Sequence, residues 1–355
     1  MKAIILSIFS LILTIFVCNG QSKNKKAATA NAQKVTIIPH EKDKRVDVLI
    51  NGQLFTSYIY PEVLKKPVLY PVKTSRGTFI TRGWPLNPRS GERTDHPHHV
   101  GIWFNYGDVN GYDFWNNSNE IARDHKGPFG TIRHQQIDKM VSGKDKGELE
   151  VTSLWLKDDG SVLLKEQTHF TFSGTGNIRV ITRTCTLTAQ KEPVLFKDNK
   201  EGLFALRVAR ELEHPSDKPE VFTDANGNAT RVPVLNNEGV TGKYLSSEGK
   251  EGDAVWGTRG KWVVLNGKIG DEPVSVLILD HPRNPGFPSY WHARGYGLFA
   301  INSLGQAAMS DGKDSMNLKL EPGKSVTFSY RMVIFSGKQP GVKEISEAFN
   351  RFAAE

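Results

Sequence analysis

ELEVTSLWLKDDGSVLLKEQTHFTFSGTGNIRVITRTCTL, residues 148–187, decides the fold class. Three runs, 148–156, 162–172 and 178–187, alternate apolar residues with polar or β-branched ones. Turn signals at Asp158-Asp159-Gly160 and at 173–176 separate them. Side chains along a strand point to opposite faces in turn. Val180, Thr182, Thr184 and Thr186 therefore share one face, and Ile181, Arg183, Cys185 and Leu187 the other. This predicts a three-stranded antiparallel meander with one wetter face.

The same pattern extends in both directions. Upstream, 45–50 alternates, Asn51-Gly52 gives a tight-turn signal, and 54–60, 68–72 and 78–81 are further short strands. Downstream, 203–209, 256–265, 274–280, 297–302 and 325–335 resume it. In the last segment Val342, Ile345, Ala348, Phe349 and Phe352 fall at helical spacing, which predicts a helix packed on the outside of a sheet. Many short strands and almost no helix predict an all-β fold, a large antiparallel β-sandwich with a C-terminal helix. A mutarotase-like supersandwich is the variant in view. The polar excursion 213–249 is read as an insertion or a loop over a site.

The ends and the charge set the context. Met1-Lys2 and the apolar run 3–17 read as a secretory signal peptide spanning 1–20, too short to cross a bilayer comfortably. Acylation at Cys18 is the second reading. Residues 21–33 are polar and of low complexity, hence a flexible tether, and 34–355 is read as a single catalytic β-sandwich domain. The expected address is secreted or periplasmic. The formal charge of +8 includes Lys2, Lys23, Lys25 and Lys26 in leader and tether, where no acid lies, so the remainder carries +4. That suits an anionic ligand but is no nucleic-acid footprint. Cys185 is left alone after cleavage and reads as a core residue without a disulfide.

Two stretches concentrate chemistry. TDHPHHVGIWFNYGDVNGYDFW (94–115) holds three of the ten histidines beside Asp95. Read as extended from 96, it puts His96 and His98 on one face with Val100 and Ile102, and His99 on the other. DHPRNPGFPSYWHARGY (280–296) carries His281, Arg283, Asn284, Trp291, His292, Arg294 and Tyr296 on what reads as a proline-stiffened loop. Arg82 and Trp84 are a third contribution. His125 is a weak candidate, and His40, His134, His169 and His214 are read as structural. The chain contains no Gly-x-Ser-x-Gly, no glycine-rich phosphate loop and no CxxC pair, so serine-hydrolase, P-loop and thiol-redox readings have no support.

Trp and Tyr faces stack on sugar rings, and Arg and Asn bind carboxylates and hydroxyls. His and Tyr move protons near neutral pH. Together these suit proton abstraction beside a carboxylate, with departure of the β-oxygen. Metal binding is the rival reading: His96-x-His98 could hold a divalent ion with a third ligand such as His281 or His292.

TRGWP (81–85), DHPHHVGIWF (95–104), GDVNGYDFW (107–115) and HPRNPGFPSYWHARGYGLFAINSLG (281–305) resemble the PmoA-type domain family of secreted bacterial proteins. The resemblance covers most of the chain beyond the tether. Its name suggests methane oxygenase, but such a subunit would be membrane-embedded. An oligosaccharide dehydratase acting on ulvan is similar in type, which implies a uronic-acid-containing substrate. The expected function is thus a carbohydrate lyase or dehydratase that leaves an unsaturated sugar. The alternatives are a non-catalytic glycan-binding sandwich and a metal-dependent hydrolase or oxygenase.

Our assignment of roles takes His98 or His292 as general base and Tyr296 as acid, with His96 and His281 as further catalytic candidates. Arg82 and Arg294 would bind the carboxylate, and Trp115 and Trp291 would form sugar platforms. His99, Arg283 and Asn284 complete the binding set. The expected partner is an acidic oligosaccharide, without nucleic acid or a membrane-spanning segment, and no cofactor beyond the divalent ion is implied.

Overall fold

The computed structural model describes residues 33–120 and 127–355. The signal peptide, Cys18, nearly all of the tether and His125 lie outside the described residues. Asn31–Glu355 forms one compact unit. In chain order its elements are β1 (Val35–His40), β2 (Arg45–Ile50), β3 (Gln53–Ile59), β4 (Val68–Val72), β5 (Ile102–Tyr106), β6 (Thr131–Val141), β7 (Lys146–Leu156), β8 (Val162–Thr175), β9 (Ile178–Ala189), β10 (Val194–Phe196), β11 (Gly202–Arg207), β12 (Lys243–Ser246), β13 (Trp262–Ile269), β14 (Glu272–Asp280), β15 (Tyr290–Arg294), β16 (Leu298–Asn302), α1 (Gln306–Met309), β17 (Leu318–Leu320), β18 (Ser325–Ser336) and α2 (Val342–Ala353). The strands form two eight-stranded sheets, β1-β2-β3-β4-β5-β11-β16-β15 and β12-β13-β14-β18-β9-β8-β7-β6, with β10-β17 as a small third. The expected all-β antiparallel sandwich with a C-terminal helix is the observed fold.

The meander sets the second sheet. Thr175 pairs with Ile178 across a two-residue turn in which Gly176 sits at φ +51, a conformation that matches the twist of a tight hairpin. Phe170, Phe172, Ile181, Cys185 and Leu187 face inward and are fully buried. On the opposite face the hydroxyls of Thr184, Thr186 and Thr188 pair with Ser329, Thr327 and Ser325 of β18 at 2.8–2.9 Å. The core lies between the sheets, where Phe104 meets Trp155 at 6.4 Å and Phe204 stacks on Tyr330 at 5.3 Å. Burying each such aromatic contributes about 2–3 kcal/mol.

The two outer faces are closed differently. α2 lays Ile345, Phe349 and Phe352 on Trp262, Leu277, Leu279, Val333 and Phe335 of the second sheet. Loops cover the first sheet around Trp103 and Trp115.

Three local expectations are corrected. Residues 78–81 form isolated bridges to Lys73 and Val208 and no strand. The proline-rich stretch 280–296 contains β15, the edge of the first sheet, because Tyr290–Arg294 pairs with Leu298–Asn302 across a turn. Extended structure in the histidine stretch starts at Ile102, not at 96.

Candidate active site

Cross-strand pairing puts Trp103, Ala205, Ala300 and His292 in one row on the outer face of the first sheet. Two methyl side chains between two large rings leave a trough. Trp115, from the loop after β5, fills it, with its ring 5.3 Å from Trp103 and 6.5 Å from His292. The Asp113 carboxylate fixes that loop by accepting from the backbone N–H groups of Trp115 and Asn116 at 2.9 Å. One step along the sheet, Arg207, Leu298 and Arg294 form the next row.

Arg82 shapes the histidine loop from beneath. Its guanidinium is buried and donates to the carbonyls of Arg93, Asp95, His96 and His99 and to Asp95 Oδ1. His96 takes φ +47, and its carbonyl accepts from the His99 N–H at 3.0 Å. Gly101, at φ +59, passes so near Leu69 that a Cβ would lie 2.3 Å from its carbonyl oxygen, so the bend into β5 requires glycine. The chain is therefore curled, and the expected alternation of faces gives way to convergence. His96 stacks on His99 at 4.8 Å, and His98 meets His99 edge-on at 4.3 Å.

Asp95 is the electrostatic centre. Its Oδ1 accepts from Arg82 Nη1 at 2.7 Å and Arg207 Nη2 at 2.5 Å, and its Oδ2 lies 2.8 Å from His96 Nδ1. Burial opposes its ionisation, but Arg207, His96 and Arg82 outweigh burial and hold the carboxyl far below the usual range. Tyr296 stacks on the outer side of His96 at 4.8 Å and 3°, and the Arg207 guanidinium lies 5.0 Å from its ring. Burial, opposed by Arg207, pushes the Tyr296 phenol up to about 12. The His96 side chain is 40% exposed, whereas His98, His99 and His292 are buried. Burial, reinforced by nearby cations, keeps these three neutral, with His292 pushed down to about 3.

Seven buried ring nitrogens here have no hydrogen-bond partner among the described residues: both in His98, both in His99, Nδ1 of His292, whose nearest charge is Glu201 Oε2 at 3.7 Å, and Nε1 of Trp103 and Trp115. Each unpaired buried group costs about 1–3 kcal/mol. Such a concentration is the mark of a site built for something other than stability.

The remaining candidates divide cleanly. His98 and His292, expected to line one cavity, lie on the same face and are linked through His99 and Trp115. Arg294 is exposed, 5.9 Å from the Tyr296 ring. Arg82 is committed to Asp95 and the loop carbonyls, so it has no donor pattern aimed outward for a substrate carboxylate. Trp291 points into the core between the sheets and donates Nε1–H to the Gly260 carbonyl at 3.0 Å. Trp115 is likewise fully buried. Neither offers a sugar platform; each is packing.

His281, Arg283 and Asn284 belong to the far side of the molecule. His281 packs edge-on against Phe352 of α2 at 4.9 Å and accepts from the Arg283 N–H. Asn284 bonds to Asp280 and to the backbone of Ser329 in β18. The sequence stretch 280–296 starts on one sheet and ends on the other, which separates these three from His292 and Tyr296. No third ligand joins His96 and His98: among the described residues, the only trio of donor atoms spaced for a metal is Glu148, Glu150 and His169 on the second sheet. Lys139 already pairs with both glutamates there.

Sequence reasoning missed several members. Arg207 is a lone charge in the apolar run 203–209, a signal that was legible. Lys66 carried none: it is buried, donates to the His98 carbonyl at 2.8 Å, and is pushed down to about 7 by burial, against the pull of Asp113. Glu213, beneath Arg93, Arg207 and Arg210, is pushed up to about 7 by burial against those three cations. Trp256, 37% exposed, lines a cleft of about 430 Å³ that opens beside Tyr296.

The chain belongs to the family described as a family of unknown function, DUF6807, whose pattern covers residues 45–350. A comparison with curated proteins finds no match. Among solved structures it is similar to the GH36 α-galactosidase AgaB from Geobacillus stearothermophilus, at 12% identity over 88% of this chain and 42% of that one, with a TM-score of 0.40. The α-galactosidase from Lactobacillus brevis is similar at 11% identity over 92% of this chain and 43% of that one, TM-score 0.40. The Slr1438 protein from Synechocystis sp. is similar at 10% identity over 86% of this chain and 96% of that one, TM-score 0.29. The chain spans about two fifths of the length of those galactosidases. These likenesses concern β-rich architecture alone.

Proposed function

We propose that the protein is a carbohydrate-active lyase or dehydratase that eliminates water or an alcohol from a uronic-acid-containing oligosaccharide. The observation that carries this reading is the Asp95–His96–Tyr296 stack at the mouth of the buried histidine cluster. Asp95 accepts from the Nδ1–H of His96 and leaves Nε2 as the basic nitrogen. The exposed ring makes His96 the base, in place of His98 or His292, whose rings are buried.

The reaction assigned to these groups is as follows. Arg294 pairs with the uronate carboxylate and draws charge from the adjacent carbon. His96 Nε2 removes the proton from that carbon. The C–H electrons form the new C=C bond as the neighbouring C–O bond breaks, and the leaving oxygen takes the Tyr296 phenol proton. The high proton affinity of Tyr296 keeps that proton in place at neutral pH. The resemblance to the PmoA-type family and to an ulvan oligosaccharide dehydratase supports the same substrate class.

Incubation with acidic oligosaccharides, followed by mass spectrometry and ultraviolet absorbance, tests the proposal. An unsaturated product lighter by one water, or a chain cut with a new conjugated double bond, is expected, and it should vanish in His96→Ala. Hydrolysis products would refute elimination, and binding without turnover would leave a glycan-binding module.

A further inference from the structure

We infer that the cleft beside Tyr296 is a second sugar subsite, that it stacks its occupant on Trp256, and that it takes an uncharged sugar next to the uronate. This rests on the uronate reading of the catalytic stack. The cleft shares Tyr296 with that stack, includes Arg294, the residue proposed to hold the uronate, and runs outward between the 214–218 loop and the turn before Trp256. Trp256 is the most exposed tryptophan among the described residues, and an accessible indole face is what a sugar ring uses for stacking. Arg294 lies 5.4 Å from that indole and forms no ion pair among the described residues. Its charge is available at the junction of cleft and stack, where a carboxylate would sit.

Charge around the rest of the cleft points the other way. Arg93 is spent on Glu213 and Glu220, each at 2.7 Å. Beyond it, Asp217 and Asp253 oppose the single cation Lys218. Asp253 Oδ1 lies 3.3 Å from Nδ1 of the buried His214. A sulfate ester or a second carboxylate would meet two carboxylates there, while neutral hydroxyls would find acceptors. The assigned occupant is therefore a neutral hexose or deoxyhexose adjoining the uronate.

The test uses the full chain carrying His96→Ala, so that substrate is bound and not consumed. Two tetrasaccharides alternating glucuronate with a neutral hexose serve as probes, one plain and one sulfated on the hexose. Calorimetry should show the plain one binding about tenfold more tightly. Adding Trp256→Ala should weaken its binding about tenfold, while Trp256→Phe should retain most of it. Replacing Asp217 and Asp253 by asparagine should narrow the preference. Equal or tighter binding of the sulfated probe, failure of the plain probe to bind, or indifference to Trp256→Ala overturns the subsite. In protein with His96 intact, unsaturated product with KM unchanged by Trp256→Ala would sink the subsite alone. Trp256-dependent binding without any unsaturated product would sink the elimination reading alone.

Discussion

At the scale of single residues, the proposed elimination separates groups that would react from groups that hold them. Tyr296→Phe keeps the ring stacked on His96 and removes only the proton, so kcat should fall about 10²–10⁴-fold with KM and melting temperature near their original values. Asp95→Asn should behave differently. It leaves Arg82 without a carboxylate and Arg207 with only Glu213 at 3.8 Å, and unpairing a buried charge costs about 3–5 kcal/mol, so melting temperature should drop together with kcat. Steady-state kinetics and thermal unfolding on the two variants distinguish the roles; a stable, active Asp95→Asn protein would remove Asp95 from both. In the sequence His96 is one of three histidines within residues 94–115. Its exposure and its bond to Asp95 come from a left-handed backbone at position 96 that no alternation rule contains.

At the scale of elements, the trough exists because β11 and β16 each contribute an alanine between Trp103 and His292. Ala300→Leu would press on Trp115, which is fully buried above it. Overpacking of this kind costs about 1–3 kcal/mol, and the displaced indole would disturb His99 and His292, so both unfolding midpoint and activity should fall. An unchanged midpoint in urea would show that the row is looser than its pairing implies. The strands behind this geometry were largely legible. β2 and the meander β7–β9 follow their alternation, β4 keeps the bounds read for it, and α2 follows its helical spacing. β6 was not legible, because this edge strand buries only Ile132 and offers no apolar period. β15 was hidden by the prolines before it, which read as loop until pairing with β16 supplied a partner. Trp291 and His292 then went to opposite faces, which is why one reads as a site residue and the other as core.

At the scale of the whole molecule, buried neutral histidines make stability depend on pH. His292 is pushed down to about 3, while in the unfolded chain it titrates near about 6.5. Below that upper value the unfolded state binds a proton that the folded state refuses, so stability falls as pH drops through the window between them. At pH 5 the penalty approaches about 2 kcal/mol for this one ring. Glu213 and Asp280, whose carboxyls burial pushes up to about 7 and about 6, act in the opposite sense, so the test is differential. Between pH 7.5 and pH 5, His292→Phe should lose about 2 kcal/mol less than the unaltered protein, read from urea midpoints; equal losses would show that His292 is protonated in the fold. The same large scale gives the molecule a front and a back. α2 seals one broad side and keeps Lys343 in solvent, so a chip or bead coupled through that lysine would grip the rear and present the mouth of the histidine cluster to whatever flows past.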